Sequence, residues 1–476
     1  MTPRQVADVG VARLALPVPM AKLVTIQAIA SALSDEATSE IYAEALIEWI
    51  STRELESQCL EALCPLLITE SRPALFERVR TAIPHPSPAS ELLISIASNG
   101  PAEVSAWAGS HSGPVPKHLN LAKEEKALHA GSFIPLIFKE KLAELQEQSG
   151  YSFLRQWAFE YKTLSDQTGS RSDGHLDYFF ESERSNTGQF VAVRGHLARS
   201  AYLRTLTYAT EDWKMPNGHA FRYASVALPA DPIFLRVAPQ SVPAWAPFIH
   251  ERSSIEASDP RTLARTVVEH IEQAEQAKIV HCSLAVVNEP RCHVELEVFA
   301  VVHTGHAVDA RKAFGFYRHL LGKDTPFRHG LRAFVSRPID SETAQMLGFG
   351  PLAVPLIGSN VGYLQTDLLS RPPYMPVSTT RVRKVALMPQ EDHAPLLSEG
   401  REIGGWNWWR WNWNPGHPVE WPTPTACCTY VKEADATQMA NDLNGRLEYV
   451  WMLTTWQRDS DYGDWTSTEQ IGNLEG

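Results

Sequence analysis

Residues 279–302 read IVHCSLAVVNEPRCHVELEVFAVV, two apolar runs split by Asn288, Glu289 and Pro290. Val, Ile and Phe bounded by such a triplet predict an antiparallel hairpin, Ile279 to Val287 and Cys292 to Val302. Just before it, Asp259 and Pro260 supply a cap and a first-turn proline for a helix striped by Leu263, Val267, Ile271 and Ala274. Just after it, Ala310, Phe314, Tyr317, Leu320 and Leu321 repeat the helical spacing, and Leu331 to Val335 reads as another strand. The order helix, strand, strand, helix, strand implies a mixed α+β layer, not a doubly wound nucleotide-binding sheet.

Working outward, the first 150 residues read as helices. Ile41, Tyr42, Ala45, Leu46, Trp49 and Ile50 make one face, with Glu40, Glu44 and Glu48 on the other. Ser51 and Glu54 form a capping-box pattern ahead of Leu55, Cys59, Leu60 and Leu63, and a third stripe runs Leu75, Phe76, Val79, Ile83. The pattern suits a helical bundle and is compatible with stacked helical repeats, although no fixed period recurs. Residues 84–116 are rich in Pro, Gly and Ser with a short apolar pattern inside, and Leu119 to Glu147 returns to helix. The expected architecture is multi-domain α+β: a helical domain over 1–150, a mixed α+β domain over 151–390, and a β-rich, tryptophan-rich domain over 391–476.

Of the 476 residues 43 are Lys or Arg and 55 are Asp or Glu, giving a net charge of −12. The acidity sits at the two ends, since the regions 1–150, 151–390 and 391–476 carry −6, +3 and −9. A nucleic-acid binder usually shows a basic stripe, so any anionic ligand belongs to the middle region. The six cysteines form no C-x-x-C pair, which favours a reducing, cytoplasmic setting. Residues 1–10 lack the basic start and apolar run of a signal peptide, and Leu14 to Leu33 is interrupted by Pro17, Pro19 and Lys22, so neither export nor a membrane span is expected.

P-loop, dinucleotide-binding, zincin and nucleophile-elbow motifs are all absent. His281 and Cys282 cannot meet Cys292 and His293 if the turn is centred on 289 and 290, and His303 with His306 supplies only two ligands. Neither a metal nor a cofactor is expected. Asp459 to Asp464 imitates a calcium loop but has Gln470 in place of the twelfth-position Glu, and reads as an acidic surface loop.

Two constellations remain. Arg194, His196, Arg199 and Arg204 fall at the start of a helix expected to follow a strand, Gln189 to Val193, a setting that suits a phosphate or carboxylate. There the three arginines would clamp the anion and His196 would act as general acid or base. A basic and aromatic run around Arg311, Phe314, Arg318 and Phe327 adds nucleotide or nucleic acid as a possible ligand of the middle region. Trp406, Trp408, Trp409, Trp411 and Trp413 alternate with asparagines, and nine of the 14 tryptophans lie after residue 405. In a strand Trp409, Trp411 and Trp413 share one face and Trp406 and Trp408 the other, so some rings should be exposed or covered by a partner. The preferred expectation is a cytosolic binding or assembly protein that docks partners on its helical domain and on this tryptophan surface. The alternatives are an enzyme acting on a phosphate- or carboxylate-bearing substrate and a carbohydrate-binding protein.

Overall fold

The computed structural model describes residues 1–16, 19–69, 73–130, 134–169, 192–230, 235, 240–246, 259–289, 291–305, 307–321, 341–355, 364, 374–377, 385–388, 394–410, 425–461 and 463–476. The chain forms two units, the first built mainly on Met1–Arg236 and the second mainly on Val237–Lys323, Ala333–Ile357 and Asp367–Gly476. The architecture is mixed α+β, with helices in the first unit and an antiparallel sheet in the second. No described helix is long and apolar enough to cross a membrane.

In the first unit the described helices are α1 (Pro3–Ala12), α2 (Pro19–Ser34), α3 (Ser39–Ser51), α4 (Glu56–Leu63), α5 (Pro73–Ala82), α6 (Pro88–Ser98), α7 (Ala122–Ala130), α8 (Leu136–Ser149), α9 (Phe153–Thr168), α10 (Val193–Glu211) and α11 (Asn217–Ala224). Local chemistry sets several of their ends. Thr2 accepts the Gln5 N–H while the Gln5 side chain meets the Thr2 N–H, and Ser87 and Ser90 repeat this box at α6. The box expected at Ser51 and Glu54 does not form: Ser51 is the last residue of α3, and α4 begins at Glu56 behind Leu55, which supplies no side-chain cap. The helix expected between Leu119 and Glu147 is found as α7 and α8, the second capped by Pro135, and α6 lies inside the Pro-, Gly- and Ser-rich stretch.

Gly150, the expected first boundary, closes α8 at φ 77°. The chain then continues within the same unit, as α9 packs on α10, which packs on α4. Every residue of α10 from Gly195 to Ala209 is buried, so its neighbours surround it on all sides. The strand expected at Gln189 to Val193 falls largely outside the described residues, and Val193 itself is the first residue of α10.

In the second unit α12 (Pro260–Glu275) begins as expected, with Asp259 accepting the N–H groups of Arg261 and Thr262. It leads into β1 (Ala277–Glu289) and β2 (Cys292–His303), the expected hairpin, and then α13 (Ala310–Leu321) and α14 (Ser341–Leu347). The remaining elements are β3 (Gly350–Pro351), β4 (Ala353–Pro355), β5 (Tyr374–Pro376), β6 (Val385–Leu387), β7 (Pro395–Ser398), β8 (Arg401–Arg410), β9 (Thr425–Lys432), α15 (Glu433–Asp442), β10 (Arg446–Gln457) and β11 (Thr466–Glu475). The sheet runs β11-β10-β2-β1-β9-β8-β7-β6 with β3 beside β2, and every one of these pairings is antiparallel. The strand expected at Leu331 to Val335 lies outside the described residues.

Helices cover both faces of this sheet. On one face the Tyr449 hydroxyl donates to Glu272 of α12, and Trp245 donates to Glu275 at 2.7 Å while meeting Trp409 edge to face at 5.5 Å. On the other, Tyr317 of α13 stacks on Phe299 with ring centres 3.9 Å apart, and Phe314 meets the same ring at 5.5 Å. Gly404 of β8 admits the closest approach, because a Cβ there would lie 2.0 Å from the Tyr430 carbonyl oxygen.

Candidate functional site

A helix advances about 100° per residue, so arginines five apart, at 194, 199 and 204, point in directions about 140° apart. They cannot close on one anion. Arg194 is half-buried, while Arg199 and Arg204 are buried among acidic residues from other helices. Arg204 Nε donates to Glu56 Oε1 at 2.5 Å, with the Glu56 side chain fully buried. Arg199, fully buried, and Lys22 of α2 both bear on Glu61, and Lys22 Nζ donates to the Glu61 carboxylate and to the Leu14 carbonyl. Burial alone would raise the Glu61 pKa, yet Lys22, His196 and Arg199 together hold that carboxyl below its ordinary value.

His196 stands inside this network. The Ser57 N–H donates to Ser200 Oγ at 3.1 Å, Ser200 Oγ donates to Ser57 Oγ at 3.2 Å, and Ser57 Oγ donates to the His196 carbonyl at 3.0 Å. His196 Nδ1 lies 2.9 Å from Ser57 Oγ, and its Nε2 is 3.9 Å from Glu61 Oε1. Burial pushes the His196 pKa down to about 3, against the pull of Glu61 and with help from Arg199 and Lys22. The imidazole is therefore neutral at physiological pH. The Ser57 hydroxyl thus has both the His196 carbonyl and Nδ1 within hydrogen-bond distance. These contacts tie α4 to α10.

The polar interior continues along α9. Glu160, fully buried, accepts the Ser112 N–H at 2.9 Å and its hydroxyl at 2.6 Å, and Gln156 donates to the same carboxylate at 3.1 Å. Burial outweighs these bonds and raises its pKa. At the other end of α10, His111 Nε2 meets Glu211 at 2.8 Å. A separate cavity of about 380 Å³ is lined by Thr52, Arg53, Glu54, His85 and Gln167, and there Arg53 lies 3.8 Å over the Trp49 ring and donates to the Trp49 carbonyl at 3.0 Å.

In the second unit His281 pairs with Phe299 and Cys282 with Val298, so the two His–Cys pairs of the hairpin stay apart. Among the described residues no group of three or more His, Cys, Asp and Glu could hold a metal. The register brings together something the sequence did not announce. Cys427, Ser283 and Glu297 occupy one row across β9, β1 and β2, and His281 in the next row lies 3.9 Å from Cys427 Sγ and 3.4 Å from Glu297 Oε1. The sulfur is fully buried, and His281 is held between Phe299 at 4.6 Å and Tyr374 at 4.3 Å, so the group packs as core.

Trp406 and Trp408 share one face of β8 with parallel rings 6.1 Å apart, and Trp409 faces the other way, as the alternation requires. All three rings are buried, because both faces of the sheet are covered, and they display no contact surface. Trp411 and Trp413 lie outside the described residues. At the far end of the sheet, Trp456 and Trp465 flank the turn between β10 and β11 and are only half-buried, with Arg458 lying 4.7 Å over the Trp465 ring.

Lys22, Glu56, Ser57, Glu61 and Ser200 carry the first unit's network and were not singled out from the sequence. Lys22 had a signal: a single cation inside an apolar run needs a buried anion. No known protein-family model matches the chain, and no curated protein sequence matches it.

Proposed function

We propose that this chain is a cytosolic binding or assembly protein whose C-terminal unit offers a tryptophan-bearing surface to a protein partner, with the helical unit as a second docking body. The observation that carries this reading is the pair Trp456 and Trp465, half-buried beside the exposed residues 466–470. Indoles covered at an interface contribute disproportionately to binding, and Arg458 over Trp465 adds the residue type that accompanies them at hot spots. The alternative of an anion-processing enzyme is weakened, since Arg204 is paired with the buried Glu56 and Arg199 is buried where it bears on Glu61.

The test is affinity capture from host lysate with the full chain immobilised, followed by mass spectrometry, comparing the wild type with Trp465→Ala and Trp456→Ala. A partner retained by the wild type and lost from both variants, with the melting temperature of Trp465→Ala unchanged, is expected. Retention of the same proteins by all three chains would overturn the reading.

A further inference from the structure

Among the described residues the last strand of the sheet is paired on one side only. β11 meets β10 through ten consecutive positions, from Glu448 opposite Glu475 to Gln457 opposite Thr466, without a register shift. Among the described residues no backbone–backbone hydrogen bond outside this ladder reaches residues 466–475. Residues 466–470 are exposed, while the second half of the strand is braced: the Asn473 side chain donates to the Val308 carbonyl at 2.7 Å, and Gly472 carries the Trp451 ring where a Cβ would be 2.7 Å from it. The open half is thus held straight by the closed half.

Sheet edges are normally blunted by Pro, Lys, bulges or covering elements. Residues 466–470 contain neither Pro nor Lys, and the ladder has no bulge. Their surroundings are acidic. Asp459, Asp461, Asp464 and Glu469 are exposed, and Arg458 is the one basic residue from 458 to 476. Its guanidinium donates to the Asp461 carbonyl at 2.7 Å and lies over Trp465, while Arg291 from the neighbouring turn pairs with Asp461 at 3.0 Å.

We infer that the outer edge of residues 466–470 is the docking site of an extended partner segment carrying Lys or Arg at alternate positions, which adds to the sheet as a further strand. Main-chain hydrogen bonds supply the attachment, and the acidic margin selects the basic side chains. This deepens the partner-binding reading and rests on it. Five open residues span roughly 17 Å, a typical strand length.

The probes are two labelled peptides about eight residues long, one alternating Lys with Val and one alternating Glu with Val, titrated against the full chain by fluorescence anisotropy. The Lys peptide should bind about tenfold more tightly than the Glu peptide at low salt, and high salt should erase the preference. Glu469→Lys should weaken the Lys peptide and strengthen the Glu peptide. Successive residues of an antiparallel strand direct their N–H groups alternately inward and outward, so one of Ser467→Pro and Thr468→Pro removes an outward donor while sparing the β10 ladder. That variant should keep the wild-type melting temperature and lose the peptide. Equal binding of both peptides, no binding of either, or binding untouched by both proline variants would overturn the inference. So would a wild-type dimer in light scattering that the proline variants dissolve, since the edge would then belong to a second copy. If neither peptide binds while Trp465→Ala still loses the captured partner, strand addition fails and the tryptophan surface stands.

Discussion

His196 provides a direct measure of how closed the helical interior is. Its pKa is about 3 in the folded chain against 6.5 as the ordinary value, with burial as the main cause. A histidine depressed in this way contributes stability that is fully present above pH 6.5 and is lost as pH falls towards 3, because the unfolded chain takes up a proton that the folded chain refuses. Each pH unit in that window costs about 1.4 kcal/mol, so moving from pH 7.5 to pH 5 should cost about 2 kcal/mol through this residue alone. The perturbation is His196→Gln, which keeps a neutral polar side chain and removes the titration. Urea unfolding followed by far-UV circular dichroism at both pH values gives four stabilities, and the difference of differences isolates the residue. The wild type should lose about 2 kcal/mol more than the variant between the two pH values. If both lose the same amount, His196 is not sealed among Ser57, Lys22 and Arg199 as described, and the case against its acting as an acid or base falls with it.

Other substitutions test neighbouring parts of the structure. Glu61→Gln removes the carboxylate that Lys22 pairs with and Arg199 bears on and should cost about 3–5 kcal/mol in denaturant unfolding, more than Lys22→Met, which keeps Arg199 beside Glu61; equal or negligible losses would contradict the network. Gly404→Ala must push β8 away from the Tyr430 carbonyl and should cost at least about 1–3 kcal/mol, read as a lowered melting temperature. Trp408→Ala should cost about 3–5 kcal/mol as a core deletion, whereas Trp465→Ala should stay within about 1 kcal/mol of the wild type. The same two variants, compared by thermal unfolding, separate buried from displayed tryptophan.

Much of the fold was legible wherever the pattern was local. Asp259 and Pro260 announced α12, the Asn288-Glu289-Pro290 triplet announced the β1–β2 hairpin although Asn288 and Glu289 pair as the end of β1, and the phase of Phe314 and Tyr317 placed them correctly against the sheet. The side of β8 taken by each tryptophan followed from alternation alone, but whether the rings were covered did not, because α12 and Trp245 reach that face from far along the chain. The candidate site failed for a related reason. Charge next to a helix start looks the same in sequence whether water or another helix faces it, and only the tertiary arrangement puts Glu56 and Glu61 opposite Arg204 and Arg199. The row of Cys427, Ser283 and Glu297 likewise depends on β9 pairing with β1, a neighbour separated by more than a hundred residues.

The staple between α4 and α10 also dictates an order of events during synthesis. Ser57 and Ser200 are 143 residues apart and Glu56 and Arg204 are 148 apart, so Glu56 leaves the ribosome long before Arg204. At typical elongation rates the wait is roughly 10–30 s. During that interval Glu56 of α4 lacks the cation that it is buried against, and the early helices have no central helix to pack around. A fragment ending near Gly150 should therefore remain unfolded and dependent on chaperones, and the helical unit should assemble only once α10 has emerged.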